Sequence, residues 1–240
     1  SYNLNQARIT GLDQFKRFAA DRAAKCFKTT TYTGTDVFPN SFLLSIPAES
    51  YWTMMFSGSC KLDGFLDWAY DAWVEDPLRD ITHFAFQAGD VFMVYPSERD
   101  AANKVTLPSI RSEKYDEGVR DINKLYIMRE NSHELAGEID ALFGTVKANY
   151  PFNTVNNGAG WCAGIANNGR PAKWITEAGR ATILSDVDVF KQKVYEISKK
   201  YEELMIIPVD TITLDPDQVS LKVGETHQIN ATVLPADATN

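Results

Sequence analysis

The chain has 240 residues, 44% hydrophobic and 23% charged, which excludes disorder as its main state. Its formal charge is -8, and Lys and Arg are scattered without a basic stripe, so neither nucleic acid nor an anionic membrane is expected as a partner. No apolar run reaches the roughly 18 residues of a membrane span, so no membrane span is expected. Cys26, Cys60 and Cys162 form no CxxC, and His83, His133 and His227 lie far apart, so no metal or cofactor is expected.

The predicted elements alternate along residues 1–205. Residues 10–27 place Leu12, Phe15, Phe18, Ala19, Ala23 and Cys26 on one helical face. Residues 28–33 are short and β-branched, like a buried strand. Pro47 opens a helix over 48–56, and 62–68 reads as the next strand. A short helix over 80–87 ends at Gly89, and 90–95 (DVFMVY) is apolar almost throughout, as a strand buried on both faces would be. Helices follow at 113–130, with Val119, Ile122, Leu125 and Tyr126 turned inward, and at 133–148 and 185–205. The last carries Val187, Phe190, Val194, Ile197, Tyr201 and Leu204, with Ser185 as its N-cap. Continuous apolar strands separated by helices indicate βα units and a parallel sheet. The number of strands suits part of a (β/α)8 barrel rather than a whole one.

The composition changes after residue 205. All aromatic residues lie before residue 206, and the tail alternates in period 2: Ile212 and Leu214, then Val219, Leu221 and Val223, then Ile229, Ala231 and Val233. Turn signals at 215–217, 223–225 and 234–236 separate the runs. Three short strands at this spacing open a β-sandwich without closing it, so residues 206–240 are expected to be a cut module. Residues 209–240, VDTITLDPDQVSLKVGETHQINATVLPADATN, resemble the first half of a bacterial Ig-like group 2 domain. That resemblance implies a secreted or cell-surface bacterial protein, with cell-wall association through the Ig-like module.

The chemistry-bearing stretch lies between residues 31 and 113. The run LDGFLDWAYDAWVEDP (62–77) sets Asp67, Trp68, Tyr70 and Trp73 after a strand, and the next strand ends at Tyr95. In a barrel the loops after the strands form the active face. Flat aromatic rings suit the apolar face of a sugar, and carboxylates and Arg reach its hydroxyls. Trp68 and Trp73 equally suit packing between a barrel and its helix layer. Asp63, Asp67, Asp71, Glu75 and Asp76 include candidate acids or bases, although clustered acids are commonly solvated or capping. Arg111 reads either as a ligand contact or as a structural pair, and Glu113 as a complement to a helix dipole. The Gly-rich run 156–170 lacks a Lys-Ser/Thr and reads as a surface loop.

Four motifs in order, FPNSFLLSIPAES, DGFLDWAYDAWVEDPLRD, AGDVFMVYP and SIRSEKYDEGVRD, resemble the C-terminal part of the glycoside hydrolase family 123 catalytic domain. The family usually carries Arg at the position of Asp67, and an acidic-aromatic pair where only Asp121 matches. The resemblance implies an α/β fold: the C-terminal portion of a (β/α)8 barrel with a helical extension in 1–205, followed by a partial Ig-like sandwich in 206–240. It implies a retaining, substrate-assisted β-N-acetylhexosaminidase, similar to β-N-acetylgalactosaminidases, acting on a glycan with N-acetylhexosamine. The substrate's acetamido oxygen attacks, an Asp orients it, and a neighbouring Glu serves as acid and base. Asp116-Glu117 does not match that catalytic pair, which is expected upstream of Ser1. The expected substrate-binding residues are Trp68, Tyr95, Trp73, Tyr70, Asp67 and Arg111, with Trp68 and Tyr95 foremost. The alternative is a non-catalytic surface protein that binds glycan, or an adhesin, built on a degenerate barrel.

Overall fold

A computed structural model describes residues 2–3, 11–33, 38–43, 45–81, 89, 92–98, 102, 105–147, 150, 152–155, 172–207, 209–236 and 238. The chain divides into two compact units, Ser1–Val194 and Tyr195–Asn240. The predicted helix over 80–87 and the Gly-rich run with Cys162 fall largely or wholly outside the described residues.

The first unit opens with alternating strands and helices. Strand β1 is Tyr2–Asn3, helix α1 Leu12–Ala23, β2 Thr30–Tyr32, α2 Pro47–Ser59 and β3 Gly64–Leu66. The three strands form one parallel sheet in the order β1-β2-β3, with Thr31 opposite Tyr2 on one side and Phe65 on the other. Parallel strands need a crossover between them, and α1 and α2 supply it. Asp63 ties the lower edge together: its carboxylate accepts the Thr29 backbone N–H at 2.7 Å and the Lys28 ammonium at 2.9 Å. These two contacts, the backbone one first, hold the Asp63 carboxyl below its ordinary range.

Helix α2 is the core of this unit. Every residue from Ala48 to Ser59 is buried. A helix without a polar face belongs inside a fold. Its first turn is capped by its own Glu49, whose carboxylate accepts the backbone N–H groups of Ile46 and Asn40, each at 3.3 Å. Burial nevertheless pushes the Glu49 carboxyl up to about 8, against those two hydrogen bonds and the Arg180 charge.

Helix α3 (Ile110–Asn131) lies against α2, capped by the Ser109 hydroxyl, which accepts the Ser112 N–H at 3.2 Å. Its buried stripe is Gly118, Asp121, Leu125 and Met128. Val119, expected inward, is exposed. The small Gly118 and the Tyr51-paired Asp121 sit where the helices meet, which turns the stripe one residue away from the purely apolar reading. Helix α4 (His133–Gly144) follows, and α5 (Glu177–Met205) contributes Ile183, Val187, Phe190 and Val194 to the first unit's core. Trp52 meets Phe190 edge to face at 5.8 Å, and Phe143 and Tyr126 continue the aromatic cluster. Ser185 is not an N-cap. It lies inside α5, which begins eight residues earlier at Glu177 because Thr176 receives the Gly179 N–H on its hydroxyl at 3.0 Å.

The strand expected over 90–95 is described only in part. Val94–Tyr95 (β4) pairs antiparallel with Leu107–Pro108 (β5), so these residues do not extend the parallel sheet. The reason is local: the Tyr70 carbonyl accepts the Met93 and Val94 N–H groups at 3.1 and 3.3 Å, and Asp71 bridges to Phe92. Strands β6 (Phe152–Val155) and β7 (Ala172–Ile175) form a separate antiparallel pair.

In the second unit, β8 (Thr211–Asp215) pairs antiparallel with β9 (Asn230–Leu234), where the alternating pattern places strands. The third expected strand, 219–223, is not formed. The Lys222 N–H is instead taken by the Glu225 carboxylate at 2.9 Å, in a turn through Gly224 at φ 94°. Among the described residues no helix is long and apolar enough to cross a membrane.

Candidate functional site

Strand β3 ends at Leu66, and the loop that follows carries four of the six candidate residues. Its anchor is the segment Phe92–Tyr95. The Tyr70 carbonyl accepts Met93 and Val94 N–H, the Trp73 indole N–H donates to the Val94 carbonyl at 2.8 Å, and Arg111 Nη2 donates to the Phe92 carbonyl at 2.7 Å. Tyr95 packs its ring against Phe92 at 5.7 Å. Four of the six candidates, Tyr70, Trp73, Tyr95 and Arg111, are thus gathered on or beside one short strand, although they are scattered over residues 70–111.

Their environments differ. Trp68 and Tyr70 are 58% and 59% exposed, an unusual state for large rings unless something covers them. Trp73 and Tyr95 are half-buried, and the bonded Trp73 indole is a structural strut. Arg111 is buried, lies inside the first turn of α3 rather than before it, and holds a backbone carbonyl. Of its two sequence readings the structure supplies a structural partner, but a carbonyl in place of a carboxylate. Glu113 sits in the same first turn, where its charge complements the helix dipole.

Asp67 and Tyr70 line a cavity of about 1000 Å³ between β3 and α3, which the other four candidates do not line. Its wall also includes Asp63, Phe65, Met93, Tyr115 and Tyr126. The Phe65 and Tyr115 rings meet at 5.3 Å, tilted by 35°, and the Tyr126 hydroxyl donates to the Gly58 carbonyl at 2.8 Å. Burial raises the Asp67 carboxyl to about 7, opposed by the Trp68 backbone N–H and the Arg111 charge. Asp67 is the acid of this loop that lines the cavity, whereas Asp71, Glu75 and Asp76 do not.

Of the other acids singled out by the sequence, Asp71 is engaged through its backbone with Phe92, Asp76 pairs with Arg79 at the surface at 3.4 Å, and Glu75 is exposed. Asp116-Glu117 lies on α3. Burial raises the Glu117 carboxyl, but the ammonium groups of Lys114 and Lys191 outweigh it and hold the group low, a structural arrangement. Among the described residues no three His, Cys, Asp or Glu side chains gather as a metal site would require.

The sequence reading missed the α3 wall. Ser112, Tyr115, Val119, Ile122, Tyr126 and Arg129 all face the cavity. Their spacing of three and four was visible, but it marks a shared face without saying what that face meets.

Residues 3–128 match the family model of the glycoside hydrolase 123 catalytic domain. A family 123 glycoside hydrolase from Clostridium perfringens, solved to detail glycolipid glycan hydrolysis, matches at 30% identity with a TM-score of 0.69. The match covers 80% of this chain and 31% of that one, so the chain spans about a third of that relative's length. No curated protein matches the chain.

Proposed function

The chain belongs to glycoside hydrolase family 123, and on that premise we propose that it is part of a retaining β-N-acetylhexosaminidase of the β-N-acetylgalactosaminidase kind. The observation that carries this reading is the loop after β3, which brings Asp67 and Tyr70 to an aromatic-walled cavity that runs alongside this parallel strand. In this reading β1, β2 and β3 are consecutive strands of a (β/α)8 barrel, whose active face lies at those strand ends. Trp68 and Tyr70 offer the exposed rings a pyranose needs, Asp67 accepts from its hydroxyls, and Tyr95, Trp73 and Arg111 fix the loop that carries them. The resemblance to the family implies an adjacent Asp-Glu pair for the acetamido-assisted attack and the protonation of the leaving oxygen, and Glu117, committed to Lys114 and Lys191, does not serve as that acid. Residues 206–240 serve as part of an Ig-like module of a secreted or cell-surface protein, associated with the cell wall.

The test is turnover by the full-length protein of p-nitrophenyl N-acetyl-β-galactosaminide and its glucosaminide epimer. Release of nitrophenol with retention of anomeric configuration is expected. Inertness on both, with binding to immobilised N-acetylhexosamine glycans preserved, would replace the enzyme with a non-catalytic glycan-binding surface protein.

A further inference from the structure

Two polar atoms near the cavity are buried without a hydrogen-bond partner among the described residues: Asp67 Oδ2 and Arg111 Nε. The two side chains are close enough for the guanidinium to favour the carboxylate, yet Oδ2 and Nε are not joined to each other. Neither is free to drift together. Arg111 is tied to the Phe92 carbonyl, Asp67 receives the Trp68 backbone N–H, and the loop between them is stitched to Met93 and Val94 through Tyr70. A buried carboxylate oxygen left without a donor is costly, and the cost is recovered when a donor arrives. The cavity reaches the residue itself, because Asp67 forms part of its wall together with Tyr70.

We propose that Asp67 is a specificity-determining residue, accepting a hydrogen bond from one hydroxyl of a sugar ring in the cavity, with Arg111 behind it as a fixed countercharge. The inference rests on the glycoside hydrolase reading. Once ionised, as it is above about pH 7 and as the Arg111 charge favours, the Asp67 carboxylate only accepts, and an N-acetylhexosaminide presents donors at its free hydroxyls and its acetamido N–H. Epimeric sugars differ in the direction of a single hydroxyl, so an acceptor fixed by its neighbours rewards one epimer and leaves itself unpaired against the other. Tyr70, on the same loop and the same cavity, supplies the flat apolar surface beside it.

The experiment compares the full-length protein with Asp67→Asn and Asp67→Glu on the two p-nitrophenyl N-acetylhexosaminides, with thermal melts of each. Asp67→Asn should change the ratio of the two kcat/KM values by roughly 10-fold or more while the melting midpoint holds, and Asp67→Glu should restore part of the ratio. With the unmodified protein active, an unchanged ratio, or lower activity that only follows a lower midpoint, overturns the inference and leaves Asp67 as a structural neighbour of Arg111. If the unmodified protein turns over neither substrate, the hydrolase reading fails. Saturation-transfer NMR with free N-acetylgalactosamine then decides: binding lost in Asp67→Asn supports the role of Asp67, and binding kept in the variant or absent from the unmodified protein overturns it.

Discussion

The Tyr51 phenol donates a 2.9 Å hydrogen bond to the Asp121 carboxylate across the buried contact of α2 with α3, joining residues 70 positions apart. Burial first, and then the Asp121 charge, pushes the phenol far above its ordinary range, so it stays a donor at every accessible pH. Lys124 adds a second donor to Asp121 at 3.2 Å. Removing the phenol oxygen leaves a buried carboxylate short of one partner. Tyr51→Phe should therefore lower unfolding stability by about 1–3 kcal/mol. A cycle with Asp121→Asn should be strongly non-additive in denaturant titrations, and additive losses would show that the pair does not act as a unit.

Gly118 lies where α3 crosses α2. A Cβ there would stand 2.7 Å from the Met54 Cβ and 3.2 Å from the Tyr51 carbonyl. Helix propensity alone favours Ala over Gly by about 1 kcal/mol. The clash with a Cβ, which cannot swing aside, outweighs that gain. Gly118→Ala should lower stability by about 1–3 kcal/mol, measured by thermal or urea unfolding, and an unchanged midpoint would mean that the helices separate at little cost.

The pH dependence follows from Glu49 and Asp67. Both are raised in the fold, to about 8 from 4.5 and to about 7 from 3.8, with burial as the first cause. The folded state therefore holds protons that the unfolded chain releases, and stability from these groups is complete below their unfolded values and fades as pH climbs through 7 and 8. The lowered carboxyls Asp63, Asp140 and Glu117 act the other way, and only in more acidic solution. Between pH 5 and 8 the melting midpoint should fall. Glu49→Gln should flatten that slope, and an equally steep slope in the variant would remove Glu49 from the account.

The two tryptophans of the β3 loop should separate by function. Trp68 is 58% exposed and Trp73 spends its N–H on the Val94 carbonyl. Trp68→Ala should leave stability within about 0.5 kcal/mol while weakening glycan binding. Trp73→Phe should cost about 1–2 kcal/mol by leaving the Val94 carbonyl unpaired. Paired melts and glycan-binding titrations check both, and a Trp68 variant that unfolds readily with binding intact would reverse the assignment.

The local pattern carried much of the architecture. Pro47 ahead of an apolar run placed α2, the β-branched Thr30–Tyr32 placed β2, and period-2 alternation placed β8 and β9, because each signal depends on neighbours a few residues away. The four ordered motifs carried the family for the same reason. Tertiary structure alone decided what those elements meet. Val119 faces the cavity because Gly118 and Asp121 take the contact with α2, Val94–Tyr95 turns away from the parallel sheet because the Tyr70 carbonyl claims its N–H groups, and Arg111 holds a carbonyl in place of a carboxylate. Asp67 stands out from its four neighbouring acids only through burial beside Arg111, a property of residues 44 positions apart that no spacing along the chain encodes.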